Sequence, residues 1–427
     1  MTNILILGGG FGGVRAALDL DKKLGQSKDV KITLIDKNGA QVFYPALYEL
    51  ASVVGVNHEH PFHTQLKGMI SIPYSEIFGG TRVEVIQAQI NHIDLEAKHA
   101  VTGNGETLNF DYLIIALGSA ASTFGIPGAE EYAFKFKSVE DGLMLSDKIE
   151  ELYNAAGEEG KMLPIKILVG GAGFTGVELA SELANCTVHI AHKHKITQQN
   201  CTSITLIEAA PMMLPMVSDR ERGKVKNRLN QLGVMIRENA PIEEVGPNYM
   251  KLKDGKMLIG DIVIWTAGTK PLDIFKTARG LEVDDKGRIL VNESLQAKNY
   301  NSVFAIGDNI VFIDPKNNKP VPQMAFVAIE QGSVAAENIA RMIGEQIPGE
   351  ESPRGMNLKK YKPNYDVWVA PVGAKYALFH MGRWGIGGFV GYVLRELVDL
   401  RYFVKTLPII KALKLFFEDI RVFTKND

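Results

Sequence analysis

NILILGGGFGGVRAALDLDKKL, residues 3–24, decides the fold. Asn3 to Leu7 read as a buried strand. Gly8, Gly9, Gly10, Phe11, Gly12 and Gly13 follow, and then an apolar periodicity of helical spacing. A second strand, VKITLID, ends on Asp36. Strand, G-x-G-x-x-G, helix, strand and acid, in that order, are the parts of a dinucleotide phosphate-binding turn. Gly8 allows the tight turn, Gly10 lets the backbone approach a pyrophosphate, and Gly13 lets helix and strand pack closely. The helix N-terminus then faces the phosphates. Asp36, 23 positions after Gly13, is spaced to accept from a ribose hydroxyl.

The pattern recurs. IKILVGG at 165–171 is a strand, Gly171-Ala172-Gly173-Phe174-Thr175-Gly176 is the turn, and VELASELA opens a helix. The strand SITLIE ends on Glu208. The gap from Gly176 to Glu208 is long, and CTVHIAHKHKITQQNC (186–201) reads as an extended or inserted helix end. A carboxylate at Glu208 accepts from a 2′-hydroxyl and repels a 2′-phosphate, so NADH is expected over NADPH. Two such turns on one chain imply two dinucleotides.

Composition narrows the partners. Among 427 residues, 47 Lys and Arg stand against 49 Asp and Glu, a net charge of −2, which gives no reason to expect a nucleic-acid partner. The only cysteines, Cys186 and Cys201, exclude a disulfide framework or a cysteine-ligated iron–sulfur cluster and fit a reducing compartment. No secretory leader is expected from MTNILILGGG. No apolar run reaches the ~18 residues of a spanning helix. The nearest, WGIGGFVGYVL at 384–394, is short and rich in glycine. Cys186, His189, His192, His194 and Cys201 match no common zinc spacing, and His58, His60 and His63 read as a solvated loop, so no metal is expected.

DYLIIALGS (111–119) ends a strand in Ala116-Leu117-Gly118, and SVFAIGDN (302–309) ends one in Gly307-Asp308. With these the chain resembles the two-dinucleotide-binding-domain flavoproteins over residues 1 to about 345. The resemblance implies an α/β fold with two Rossmann-like domains of the glutathione-reductase type, three-layer ββα. FAD would lie at the first turn, on Gly8, Gly10, Phe11, Gly12, Gly13, Asp36, Lys37, Ala116 and Gly118, with Asp308 after Gly307 on the ribityl chain. NADH would lie at the second, on Gly171, Gly173, Phe174, Thr175, Gly176, Glu178 and Glu208. DIVIWTAGTKP (261–271), with Ala267 and Gly268, matches the family's second crossing between domains. The expected domains are 1–118 with 296–358 for FAD, 119–295 for NADH, and 359–427 as a C-terminal membrane-anchoring region.

The missing cysteines narrow the family. The stretch GAQVFYPALYELAS (39–52) lacks the redox pair of disulfide reductases, there is no C-x-x-C, and no cysteine follows residue 201, where sulfide:quinone oxidoreductases need one. Electrons therefore leave the flavin without a thiol relay. FYPALY (43–48), IPYSEIF (72–78), FGIPG (124–128) and GFTGVELASEL (173–183) look like type II NADH dehydrogenases. These are single-subunit NADH:quinone oxidoreductases on a membrane surface. The resemblance places Glu178 beside nicotinamide and quinone; a first-turn carboxylate meeting the helix dipole is the plainer alternative.

One motif departs. The family's Ala-Gln-x-Ala-x-Gln before glycine is here Ala325-Phe326-Val327-Ala328-Ile329-Glu330-Gln331-Gly332. Ala325 would open a helix aimed at the flavin, and Phe326, Glu330 and Gln331 are the candidate quinone residues. The lost glutamines leave open a soluble NADH:acceptor reductase serving a ferredoxin- or rubredoxin-type protein, or a low-turnover FAD/NADH redox sensor.

In the tail, Ile409, Leu413, Phe416, Ile420 and Phe423 step by four and three, opposite Lys411, Lys414, Glu418, Arg421 and Lys425. Such a basic amphipathic helix reads as interfacial, which would make the enzyme peripheral on the cytoplasmic side of a membrane. Packing on the core or a homodimer interface is the alternative.

Overall fold

The computed structural model describes residues 1–25, 27–52, 61–159, 164–193, 202–344 and 357–426. Two parallel five-stranded sheets carry the chain. The first runs, edge to edge, Val303–Ala305, Tyr112–Ile115, Thr2–Leu7, Val30–Asp36 and Val83–Gln87. The second runs Phe134–Lys135, Ile262–Trp265, Ile165–Gly170, Thr202–Ile207 and Met235–Arg237. In each, the strand entering a glycine turn is central, and its apolar residues are buried on both faces, as a helix-covered parallel sheet requires.

Each sheet also carries a three-stranded antiparallel meander, Ile90–Asn109 in the first half and Ile242–Ile259 in the second, completing a ββα plan. The chain crosses between halves twice, and the two crossings pair with each other: Ser119–Ala121 runs antiparallel to Thr269–Pro271. Beyond the second crossing the chain already belongs to the first half. Leu95 donates to Arg279 O, and Ile289–Leu290 pairs with Ile310–Val311.

The helix after the second turn is extended, as read from the sequence, and runs Phe174–Lys193. The side chains of His63, His189 and His192, and all of His58, His60, His194 and Cys201, lie outside the described residues. Among the described residues no cluster of three His, Cys, Asp or Glu side chains could hold a metal. Cys186 is a buried free thiol bonded to Leu183 O.

The C-terminal region has the expected helices and, before them, a sheet that the sequence reading did not include. It begins with a three-stranded antiparallel sheet, Val367–Pro371, Ala377–Met381 and Trp384–Gly388, so the glycine-rich stretch at 384–394 is half strand. Two helices follow, Phe389–Thr406 and Ile409–Asn426. Among the described residues no helix is long and apolar enough to cross a membrane.

The last helix does not present one uniform apolar face. Phe416 is buried and Ile420 packs on the core, yet Ile409 and Leu413 are exposed beside Ile410 and Phe417. The apolar arc is wider than the body beneath it can cover. The Phe423 side chain lies outside the described residues. The preceding helix is inverted. Arg395, Glu396 and Asp399 are buried, while Phe389, Val390, Val393 and Leu397 face outward.

Candidate functional site

The two glycine turns have the same internal bonding. Gly8 N donates to Ile35 O and Gly171 N to Ile207 O, both at 2.7 Å. Both glycines sit at φ +102°, where a side chain would be strained. A Cβ on Gly13 would collide with Gly8 O, and one on Gly176 with Gly171 O. A Cβ on Gly10 or Gly173 would meet nothing within 4 Å. Each turn therefore leaves open backbone at the position where a pyrophosphate would lie, and is closed at its first and last glycines.

The first turn opens onto a cavity of about 2430 Å³. Gly10, Phe11, Gly12, Asp36 and Lys37 line one end, and Ala116, Gly118, Gly307 and Asp308 the adjoining wall. Ser119 Oγ donates to Asp308 Oδ2 at 2.9 Å and accepts from Lys137 Nζ at 2.8 Å. Lys137 went unnoticed in the sequence, since no motif marks it. Burial lowers its ammonium pKa, partly offset by Asp308. The second turn meets the same cavity only through Phe174 and Thr175, with Glu178 just beyond and Gly268 opposite. Gly171, Gly173, Gly176, Glu208 and Ala267 are not in its wall.

Helix Ala325–Gly344 begins at the cavity, and Ala325, Phe326 and Glu330 all line it. It packs against helix Phe11–Leu24 where Gly332 and Gly12 touch backbone to backbone. Glu330 Oε2 is buried with no hydrogen-bond partner. Burial raises this carboxyl, and Arg401 partly opposes the shift. Gln331 corrects the sequence reading. It does not line the cavity; its buried Oε1 accepts from Gly307 N at 2.7 Å and holds the Gly307-Asp308 turn. Gln323 ties the same turn to the second crossing, accepting from Thr269 Oγ1 and donating to Asp308 O.

Opposite Glu330, the inverted helix Phe389–Thr406 brings charge inside. Arg395 is 3 % exposed and Asp399 4 %. Arg395 Nη1 lies 3.1 Å from Glu396 Oε1 and Nε 3.5 Å from Asp399 Oδ2, with the guanidinium 6.0 Å from the Tyr48 ring centre. One guanidinium thus answers several acids. Burial pushes the Glu178 carboxyl up to about 7, with Arg395 opposing and Asp399 adding to the rise. Asp399 is also pushed up to about 7, by burial and by Glu396, against Arg395. Arg395 and Asp399 were missed because their spacing inside YVLRELVDLRYF reads as the polar face of an amphipathic helix.

Residues 2–332 match the model of the pyridine nucleotide-disulphide oxidoreductase family. The type II NADH:quinone oxidoreductase of Staphylococcus haemolyticus is 32% identical over 348 residues, 80% of this chain and 83% of the relative. The Staphylococcus aureus enzyme of that name is 32% identical over 345 residues, 80% and 82%. Among solved structures, NDH2 of Plasmodium falciparum in complex with NADH has a TM-score of 0.82 at 18% identity, over 99% of this chain and 98% of that one. A sulfide:quinone oxidoreductase from Aquifex aeolicus has the same fold, with a TM-score of 0.74 at 20% identity, covering 95% and 91%. The chain belongs to the pyridine nucleotide-disulphide oxidoreductase family and, within it, to the type II NADH:quinone oxidoreductases.

Proposed function

We propose that the protein is an FAD-dependent NADH dehydrogenase that passes two electrons from NADH to a quinone at a membrane surface, without pumping protons. One observation carries the reading: a single cavity joins the first glycine turn, the Phe174-Thr175 end of the second and the inward face of helix Phe389–Thr406. The residues fit FAD, since Gly10 leaves a cradle that a side chain would fill and Asp36 stands at its rim. FAD bound across the first turn supplies the two-electron chemistry between NADH and acceptor.

The chain's own residues orient and protonate. Residues 1–118 and 296–358 hold FAD, and the contacts of Arg279 and Ile289 support extending that half back to about 272. The segment between the crossings holds NADH, with the pyrophosphate on the Gly173 amide and helix N-terminus and a ribose on Glu208. The acceptor lies toward Phe326 and Glu330, where Glu330, in its protonated form, donates to a quinone carbonyl. Quinone reduction consumes two protons, and Glu178 and Asp399 hold protons at the cavity wall near neutral pH.

The exposed Phe389, Val390, Val393, Leu397, Ile410 and Phe417, flanked by exposed Arg401, Lys411 and Lys414, dock on an anionic lipid surface on the cytoplasmic side. The test is steady-state NADH oxidation by the FAD-loaded protein, with a soluble quinone beside a ferredoxin-type acceptor. Quinone-dependent turnover supports the reading. Turnover with the protein acceptor alone overturns it in favour of a soluble reductase, and negligible turnover with both points to a redox sensor.

A further inference from the structure

The C-terminal sheet has a second task besides leading into the helices. It is fastened to helix Asp219–Gln231 of the NADH half. Lys224 Nζ donates to Gly385 O at 2.7 Å, and Arg228 donates to Val372 O and Gly373 O at 3.3 and 3.2 Å. The Arg228 guanidinium also lies 5.3 Å from the Tyr376 ring centre.

From its first strand, Trp368 enters the cavity wall. The indole stacks on the His380 imidazole, centres 5.0 Å apart and planes at 10°, and meets Phe174 edge-on at 5.3 Å and 61°. His380 Nδ1 lies 2.6 Å from Glu221 Oε1, and Glu221 Oε2 accepts from Ser218 Oγ at 2.6 Å. Burial pushes the Glu221 carboxyl up, and hydrogen bonds from Ser218 and His380 more than reverse it. Glu221 is thus an anion, so His380 Nδ1 carries the proton and the imidazole cannot flip without losing this bond.

The chain of contacts Ser218, Glu221, His380, Trp368 ends on Phe174, inside the second glycine turn at the point where that turn meets the cavity. A half-buried indole held on one face and open to a cavity is a ready wall for a flat, apolar-faced ring. We infer that Trp368 positions the nicotinamide half of NADH, with His380 and Glu221 fixing the indole. The inference rests on the reading of the second turn as the NADH site and adds a residue from outside the dinucleotide-binding motifs.

The test is calorimetric titration of FAD-loaded protein with NAD⁺, and separately with ADP-ribose, which lacks nicotinamide. Trp368→Ala should weaken NAD⁺ binding roughly three- to tenfold, with ADP-ribose within about twofold of wild type. Trp368→Phe should recover most of the loss, and His380→Ala should give a smaller loss in the same direction. Flavin content should stay at the wild-type level in all three. Equal losses for NAD⁺ and ADP-ribose would mean a merely structural role, and no loss for either would place the nicotinamide elsewhere; both overturn the inference. Wild-type protein that binds neither ligand would instead overturn the NADH reading on which it rests.

Discussion

Asp36 and Glu208 make the same pair of hydrogen bonds in two different sheets. Asp36 accepts from Gly9 N at 2.7 Å and Asn38 N at 2.8 Å; Glu208 accepts from Ala172 N and Ala210 N, both at 2.8 Å. Asp36 is the last residue of its strand and Glu208 the residue just after its own, and each braces the second residue of the glycine turn one strand away. Each carboxylate has lone pairs left over for a ribose hydroxyl.

Glu208 should therefore set nucleotide choice. NADH should be preferred over NADPH by at least roughly tenfold, because a 2′-phosphate would meet a fixed carboxylate. Glu208→Gln should narrow that ratio, read as kcat/KM for the two nucleotides. Equal kcat/KM values in the wild-type protein would show that Glu208 does not face the ribose.

Gly10 and Gly13 should separate cofactor binding from folding. A Cβ at Gly10 meets open space and one at Gly13 collides with backbone. Gly10 also has extended backbone angles that valine adopts readily. Gly10→Val should fold as a colourless apoprotein with near-native circular dichroism. Gly13→Val should lose stability by several kcal/mol, as forced overpacking does, and accumulate poorly. A yellow Gly10→Val protein would place the FAD pyrophosphate elsewhere.

The two turns and the α/β class were legible because glycine spacing, a buried strand and a terminal acid all report one local geometry. The second crossing came from the family resemblance carried by DIVIWTAGTKP (261–271), not from local geometry. The cavity's far wall was not. Arg395, Glu396 and Asp399 lie on a helix whose alternation of apolar and charged residues is inverted relative to the body, and periodicity gives a stripe without saying which side faces in. Trp368 and His380 stand in a sheet with no motif, joined to Phe174 only through tertiary packing. Gln331 lay one residue from Glu330, and only the helix phase separates a cavity residue from a turn brace.

The acidic cluster should give a characteristic pH dependence. Asp399 and Glu178 have folded pKa values near 7, above those of an unfolded chain. Their protonated forms stabilise the fold at low pH, and that contribution is lost as pH rises from about 4 through 7. Asp399→Asn should therefore gain Tm relative to wild type as pH increases from 5 to 8. A Tm difference independent of pH would show that Asp399 ionises normally.

Phe326 and Glu330 lie one helical turn apart on one face. Phe326→Gln should lower the quinone KM about threefold or more by supplying a hydrogen-bonding group, and Glu330→Gln should change it by making the donor at that position independent of pH. The rate of flavin reduction by NADH in stopped flow should stay near wild type. Unchanged quinone kinetics in both variants would move the acceptor away from this helix.

Ile410 is 80 % exposed and Phe417 64 %. Ile410→Glu with Phe417→Glu should cut co-sedimentation with anionic liposomes by roughly tenfold or more, given the apolar burial lost. NADH oxidation with a water-soluble quinone should persist. A shift from dimer to monomer with liposome binding intact would assign this face to a second copy of the chain.

Helix Phe389–Thr406 has Arg395 and Asp399 on the cavity and Phe389, Val390, Val393 and Leu397 outside. The two sides of such a rod are about 10 Å apart. On a bilayer, a membrane quinone would pass from lipid to Asp399 without crossing a water layer. Its supply would then follow two-dimensional mole fraction, so adding empty vesicles at constant quinone should slow turnover by surface dilution.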